Sequence, residues 1–487
     1  MDAADEKTQL KEDFQPRDIS EKSTRQDESN DEVDMNEAIE RAGAGCGTLL
    51  YSLGPFLIFS LEGGEVIVLS IVGLMVKCEW NLSTFWVALL QVNVFVGMML
   101  ASILFSGAGD KFGRKPVSLI AAIGVTSAGL LCGFVSSFWQ LAVLRGLVGV
   151  FMGIGVAPCV ALTAEISTIR FRGLLVSYVC LSWGIGASLT SALAFFVVAP
   201  YGWRGLMIGT ALMFSPSIIF LSLIGESPRF AAKKGDWAGA EKTLQTIQKL
   251  NCAGDGMNIK LKRDDRLSDD NQSKNLGFWG ALGYINSTGR TKDLVIICAI
   301  SFMAILIYYI AGYSMPRFLN EGYCSDVVVA EHEKCKFDKS VLFDLGVISL
   351  FEPLGVVLAV IFLEIIGRKK TFQANVLLLL IALTALYFCV NNTFSFIFFT
   401  VVKFGAASIG YSPFLLGSEY FPTEVRSFTL AVIVACGRVG ACSGIAVSQF
   451  VFNLSARLVL ALAQIAAVIL SICLCALQKE TVGTTID

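Results

Sequence analysis

The sequence predicts an all-α membrane protein of twelve transmembrane helices, built as two six-helix pseudo-repeats with both termini cytoplasmic. Three observations predict this class: long apolar runs between short polar loops, lysine and arginine biased to one side, and landmarks that recur 254 residues apart. Of the 487 residues, 54% are hydrophobic and only 16% are charged. A soluble domain averages about a quarter charged residues, because its surface must be wetted.

Twelve apolar runs are long enough to cross a bilayer. A helix of roughly 20 residues spans the ~30 Å hydrocarbon core, and helix is the expected state there because every backbone group must pair locally. We number the predicted spans 1 to 12 in chain order: 47–75, 85–106, 117–136, 139–164, 174–199, 204–225, 292–313, 341–365, 371–390, 394–417, 427–452 and 456–476.

The short loops set the orientation through their lysines and arginines. Loops on the N-terminal side carry nine of these residues and loops on the other side carry three, so both termini are expected in the cytoplasm. Residues 1–41 hold fourteen acids and six bases, which predicts a disordered tail. The expected organisation is this acidic tail over 1–44, a first half over 45–225, a linker with short helices over 226–291, a second half over 292–476 and a tail over 477–487.

Several classes of function are disfavoured. The net charge of −2 leaves no basic surplus for nucleic acid, and no phosphate-binding G-x-x-x-x-G-K-[ST] loop is present to hydrolyse ATP. Most of the fourteen cysteines lie in apolar runs, as small core residues do, and the single His332 cannot complete a zinc site. We therefore expect that the chain is not an enzyme and that it holds no metal or cofactor. Cys324 and Cys335 share the outer loop 314–340, where a disulfide and two free thiols both remain open.

The two halves repeat at one offset. Asp110-Lys-Phe-Gly-Arg-Lys115 recurs as Glu364-Ile-Ile-Gly-Arg-Lys369, the pair Glu165 and Arg172 recurs as Glu419 and Arg426, and Glu226-Ser recurs as Glu480-Thr. All three landmarks are 254 residues apart and follow matching spans. Parallel repeats of this kind place a substrate path between the halves, near mid-membrane, and allow the halves to rock.

These motifs resemble the major facilitator superfamily over residues 45–485. Gly107-Ala-Gly-Asp110-Lys-Phe-Gly113-Arg114-Lys115 is similar to its loop signature, and Arg145-Gly-Leu-Val-Gly149 to its span 4 signature. Glu226-Ser-Pro-Arg229 and the run from Glu419 to Arg426 resemble the sugar-porter and organic-ion branches. Glu65-Val-Ile-Val-Leu-Ser70, Lys77-Cys-Glu-Trp-Asn-Leu-Ser83 and Gly437-Arg-Val-Gly-Ala441 resemble synaptic-vesicle-protein-related transporters. The sequence departs from the pattern at Ser106, where glycine is usual, at Glu62, where aspartate is usual, and at Lys403, where arginine is usual.

The resemblance implies a conformational latch in the cytoplasmic loops. Asp110 is expected against the start of span 11 near Ser427, where a helix N-terminus favours negative charge, and Arg114 is expected to hold Glu165 or Glu419. The alternative is that the arginines only fix topology. The latch set is Asp110, Gly113, Arg114, Glu165, Arg172, Glu364, Gly367, Arg368, Glu419 and Arg426.

Six charged residues fall well away from the ends of the predicted spans and are the candidate proton or substrate site: Glu62, Glu65, Arg145, Glu352, Lys403 and Arg438. Each costs at least ~2.5–3.5 kcal/mol at mid-bilayer, so lipid-facing positions are excluded for most of them. Glu62 and Glu65 share one helix face, and two carboxylates that close tend to share a proton. The competing interpretation is fixed ion pairs: Glu62 or Glu65 with Arg145, and Glu352 with Lys403 or Arg438.

Aromatic residues offer candidate cavity walls. Trp183, Tyr309, Tyr313 and Tyr411 lie in spans 5, 7 and 10, where a ring can stack on a substrate or hold a cation. Packing and interfacial anchoring are the alternative roles.

The sequence thus favours a transporter of a small organic ion, either an organic cation or an aromatic or organic acid such as nicotinate, with or without proton coupling. Carboxylates standing unpaired in the cavity would favour the ion. A sugar or polyol porter is the first alternative. The sequence argues against it, because only Gln91, Asn93 and a few other amides are available to bind hydroxyls. A non-transporting receptor or vesicle component is the second. We expect the protein to act as a monomer in a lipid bilayer, which is either the plasma membrane or a vesicle membrane.

Overall fold

The computed structural model describes residues 32–105, 107–252, 259–263, 278–321, 337–388, 392–410, 412–421 and 423–477. The side chains of several helical residues, among them Arg172, Glu364, Glu419 and Arg426, lie outside this description, as do Tyr411, Cys324 and Cys335.

The described chain is almost entirely helical. Its helices are α1 Met35–Ala42, α2 Cys46–Glu79, α3 Thr84–Leu104, α4 Ala108–Phe112, α5 Arg114–Cys132, α6 Phe138–Glu165, α7 Arg172–Phe214, α8 Pro216–Leu223, α9 Pro228–Lys233, α10 Trp237–Asn251, α11 Phe278–Ser287, α12 Thr291–Glu321, α13 Lys339–Ile365, α14 Arg368–Phe388, α15 Asn392–Gly410, α16 Ser412–Tyr420, α17 Thr423–Ala446, α18 Phe452–Leu454 and α19 Ala456–Ala476. One π-helical turn, Val447–Val451, joins α17 to α18.

Eleven stretches of the described chain are long and apolar enough to cross a membrane. Ten of them match predicted spans within a few residues. The eleventh, Gly173–Leu223, is 51 residues long and covers predicted spans 5 and 6. It is broken at Gly202, where φ is 63° and ψ is −160°, a conformation that glycine adopts without steric cost. Pro200, two residues earlier, cannot supply an interior helical N–H.

Each half is a helical bundle, and within the described residues the halves meet chiefly along three helix pairs. In the first half α2 packs on α7, and α6 packs on α3 and α5; in the second, α12 packs on α17, and α13 on α15. Across the halves α7 packs on α13, α3 on α17 and α2 on α12. Within the first half, glycines allow α2 and α7 to approach closely. A Cβ at Gly63 of α2 would collide with the Trp183 carbonyl, and a Cβ at Gly186 of α7 would collide with the Ser60 carbonyl.

Residues 32–42 form a short strand and α1, within the range 1–44 for which a disordered tail was expected. Glu32–Val33 pairs in parallel with Lys260–Leu261, and α1 buries Met35, Ala38, Ile39 and Ala42. These apolar side chains join one cluster with α9, α10 and the adjacent ends of the membrane helices. The high acid content predicted solvation, but the amphipathic spacing of α1 gives it a face to bury.

The side of the bundle that carries α1, α9 and α10 is called the terminal face below, and the other side the opposite face. Within the predicted linker 226–291 the structure describes three short helices, α9, α10 and α11. Asp236 begins α10 by accepting a hydrogen bond from the Gly239 N–H at 2.9 Å, and Pro228 occupies the first turn of α9, where its missing N–H costs nothing.

Candidate functional site

The loop signature of the first half forms one ionic cluster at the terminal face. Arg114 lies 2.7 Å from Asp110 and 3.0 Å from Glu165. The carboxylate of Glu226 accepts from the backbone N–H groups of Arg114 and Lys115, both at 3.1 Å. It therefore caps the first turn of α5, where unpaired N–H groups and the helix dipole favour an anion. Ser227 completes the cluster with a hydrogen bond to Glu165.

Gly113 has a φ of 111°, and a Cβ there would also meet the Glu226 carboxylate. Both facts explain why glycine precedes the arginine. Arg114 holds Glu165 in the way that the resemblance implies. Asp110 is 74% exposed and paired with Arg114; its expected contact near Ser427 involves a side chain outside the description.

The second half repeats part of this arrangement. Arg114 donates to the Gly109 carbonyl at 3.1 Å, and Arg368, 254 residues later, donates to the Leu363 carbonyl at 3.0 Å. Gly367 has a φ of 94°, as Gly113 has 111°. The other predicted latch residues of this half, Glu364, Glu419 and Arg426, lie outside the described side chains, as does Arg172.

The six intramembrane charges form three ion pairs. Glu65 pairs with Arg145 inside the first half, and Glu62 pairs with Arg438 across the two halves. Lys403 Nζ lies 2.5 Å from Glu352 Oε1 inside the second half. Of the two partners considered for Glu352, the structure shows Lys403, because α13 packs directly on α15. Arg438 pairs with Glu62, a partner that was not among those considered. Neither carboxylate of α2 stands unpaired, since each has its own guanidinium. The unpaired carboxylates that would have favoured an organic ion are therefore not found at Glu62 and Glu65.

The Glu62–Arg438 pair differs from the other two in its exposure. Arg438 is 16% exposed, whereas its partner Glu62 is 1% exposed. In the other pairs every side chain is at most 6% exposed. Oε2 of Glu62 makes no hydrogen bond within the described chain.

A hydrogen-bonded chain of three side chains also crosses the halves and ends at the partner of Lys403. Trp183 Nε1–H donates to the Tyr308 hydroxyl oxygen at 2.8 Å, and the Tyr308 O–H donates to Glu352 Oε2 at 2.8 Å. Lys403 Nζ lies 4.7 Å from the Tyr308 ring centroid. Trp183 thus links the first half to the buried Glu352–Lys403 pair; its role as a cavity wall stays a prediction.

Tyr309 and Tyr313 are fully buried and stack with ring centroids 6.0 Å apart. Their hydroxyls make no hydrogen bond within the described chain. Phe95 of the first half meets the Tyr309 ring edge-on at 4.9 Å, so this aromatic pair also lies between the halves. Tyr411 lies outside the described residues.

Three features escaped the sequence-based site. Tyr308 was not named, although it directly precedes Tyr309. Neighbouring residues on a helix point in different directions, and it is Tyr308 that bonds to Trp183 and Glu352. Gln449 bonds to Gln91 across the halves; an amide inside an apolar run was the available signal. Cys78 is disulfide-bonded, and its partner lies outside the described residues. Within the described chain, no cluster of metal-ligating side chains is found.

Comparisons with known proteins agree with this architecture. The sugar (and other) transporter family matches residues 13–487. The chain is 27% identical to the putative transporter svop-1 of Caenorhabditis elegans over 456 residues, covering 92% of this chain and 86% of that protein. It is 27% identical to the synaptic vesicle 2-related protein of Rattus norvegicus over 471 residues, covering 94% and 83%.

A solved structure shares the fold. The partially occluded, inward-open conformation of the xylose transporter XylE from E. coli superposes with a TM-score of 0.67 at 16% identity, covering 89% of this chain and all of that one. The family match extends over nearly the whole sequence, which confirms the resemblance drawn from the loop signatures. The chain is therefore a multi-pass membrane transporter that belongs to the sugar (and other) transporter family of the major facilitator superfamily.

Proposed function

We propose that this chain is a secondary transporter that moves a small organic ion by alternating access, and that the ion meets the Glu62–Arg438 pair between the halves. That pair carries the proposal, because it lies at the middle of α2 and joins helices of opposite halves. Rocking of the halves must break it, whereas the pairs inside each half move as units.

The chain has twelve spans if the 51-residue stretch Gly173–Leu223 is divided into two spans at its break. About 20 residues suffice for one crossing, and Gly202 divides the stretch into two lengths of that order. The chain then has six spans in each of the halves 45–225 and 292–476, with both termini on the cytoplasmic side.

Charge balance favours an organic anion carried with a proton. A buried charge left without its partner is strongly destabilising. If Glu62 takes a proton, Arg438 is left to bind a substrate carboxylate, and the site stays neutral. An organic cation on Glu62 would instead leave the Arg438 guanidinium without an anion. The partial exposure of Arg438 also makes it the accessible member.

The surroundings suit an aromatic acid. Trp183, Tyr308 and Tyr309 lie at the same level between the halves, and Gly63, next to Glu62, packs against the Trp183 backbone. Aromatic rings stack on one another in offset or edge-on geometry. A flat acid would therefore be held by its carboxylate on Arg438 and by its ring among these side chains.

A sugar porter is the second candidate, since family members and the xylose transporter share this fold. The amides expected to serve hydroxyls are engaged, however: Asn93 donates to the Ala142 carbonyl at 2.6 Å, and Gln91 donates to the Leu69 carbonyl at 2.9 Å. A non-transporting receptor is disfavoured by the complete Arg114 cluster, which a fold that never rocks would not require.

The test is uptake by proteoliposomes of labelled aromatic acids, organic cations and sugars, each with and without an inward-acid pH gradient. We expect an aromatic acid to accumulate and the gradient to stimulate its uptake. Glu62→Gln imitates the protonated carboxyl, so it should retain exchange of the acid and lose the stimulation. Stimulation that persists in Glu62→Gln contradicts the coupling, and uptake of sugars alone contradicts the organic ion.

The matched control is Glu79→Gln. Glu79 also pairs with an arginine, Arg204 at 2.8 Å, but both side chains are 38% exposed at the edge of the first half. This substitution removes the same charge from the same helix, so uptake and its response to pH should match wild type.

A further inference from the structure

Polar contacts between the halves gather towards the opposite face of the bundle. Gln449 Nε2 donates to Gln91 Oε1 at 3.0 Å. Near the ends of the same helices, Asn453 Nδ2 donates to Thr84 Oγ1 at 2.9 Å, and Arg317 donates to Asn453 Oδ1 at 3.0 Å. The first two contacts join α3 of the first half to the end of the α17–α18 helix. The third lies within the second half, where Arg317 of α12 holds Asn453 in place.

The glutamine pair is buried and held in place. Gln91 is fully buried and Gln449 is 8% exposed. Gln91 also donates to the Leu69 carbonyl at 2.9 Å, and Gly73 leaves the space that its amide fills. Each amide thus has a partner in a region where an unpaired one would be costly.

Gln449 projects from the π-helical turn Val447–Val451. A π turn inserts one residue into a helix, and such turns are frequent at functional sites. The turn loosens the regular hydrogen bonding of the helix above Arg438. The last turns of this helix can therefore swing without unwinding the part that carries the ion pair.

We propose that Gln91 and Gln449 are positioning residues that hold the opposite face shut, and that their hydrogen bond sets how often the central ion pair is exposed to that face. The proposal rests on the alternating access proposed above. The glutamines bind no substrate; they act through the position of the α17–α18 helix relative to α3.

The experiment measures two distances between the halves in lipid nanodiscs, by electron–electron resonance of genetically encoded spin-labelled residues. One pair replaces Phe85 and Leu454, which are 53% and 79% exposed at the opposite face. The other replaces Leu104 and Ile365, which are 74% and 69% exposed at the terminal face. No substrate is needed.

Gln449→Leu should shift the populations about five-fold, as expected for the loss of one neutral hydrogen bond. The distance between positions 85 and 454 should lengthen while that between 104 and 365 shortens in the same molecules. Gln91→Leu should change both distances in the same way. The double variant should shift the populations little more than either single variant does. Gln464→Leu, which removes an amide bonded to Thr384 inside the second half, should change neither distance.

Lengthening at the opposite face alone would show local loosening and overturn the proposal, as would unchanged distances. Reciprocal changes with no uptake of any organic ion would uphold the gate and refute the proposed substrate class.

Discussion

The buried Glu352–Lys403 pair shows how much depends on single contacts inside this protein. Both side chains are fully buried, and neither Glu352 Oε1 nor Lys403 Nζ has a hydrogen-bonding alternative in the described chain. Removing one member leaves the other charge uncompensated, at a cost of about 3–5 kcal/mol. We expect Lys403→Met to lower the unfolding temperature strongly in detergent.

The double variant Lys403→Met with Glu352→Leu should regain most of the loss, since apolar replacement of a buried pair is often neutral or stabilising. Thermal unfolding of both purified variants and wild type gives the comparison. A double variant no more stable than Lys403→Met would contradict the pairing, and would indicate that the hydrogen bond from Tyr308 to Glu352 matters more.

Sequence alone identified all six intramembrane charges, because a charge in a membrane helix is conspicuous. It left the partners open: Glu62 and Glu65 lie on one helix face, yet they bond to arginines on different helices, Arg438 and Arg145. Which arginine each one reaches depends on how the helices pack, and no local pattern in α2 encodes that choice.

At the scale of helices, the α2–α7 packing depends on glycine. A Cβ at Gly186 would strike the Ser60 carbonyl of α2, so Gly186→Ala must push the two helices apart. Overpacking of this kind costs about 1–3 kcal/mol, and we expect a lower unfolding temperature. Gly346→Ala is the control, because no atom lies within 4 Å of the added Cβ.

Gly346→Ala should keep or slightly raise stability, since alanine favours helix by about 0.5–1 kcal/mol over glycine. Equal unfolding temperatures for the two variants would show that α2 and α7 separate without strain. Thermal scans of the two proteins under identical detergent conditions decide the point.

Helix boundaries were largely predictable, because the bilayer demands about 20 apolar residues per crossing and Gly202 falls in the gap predicted between spans 5 and 6. The structure of the segment Glu32–Ala42 was not predictable in this way. Its acidic composition resembles that of a solvated tail, and only the docked face of α1 against α10 reveals the four buried side chains.

Over the whole molecule, the three ion pairs divide by the motion that each one permits. Glu65–Arg145 and Glu352–Lys403 lie within halves, while Glu62–Arg438 lies between them. In the proposed rocking of the halves, only the last pair has to open. Two-state rocking requires contacts that differ between the states. The cross-half pair supplies one such contact, and a substrate that replaces Glu62 on Arg438 supplies another.

This division predicts the result of exchanging the two charges. The double variant Glu62→Arg with Arg438→Glu keeps the pair, so it should fold, whereas either single variant places two like charges together and should be poorly stable. The more exposed position would then carry a carboxylate in place of a guanidinium. Uptake by proteoliposomes should therefore shift from aromatic acids to organic cations. If the folded double variant still prefers acids, the charge at position 438 does not select the substrate, and selection must lie with the other basic side chains of the core, Arg145 or Lys403.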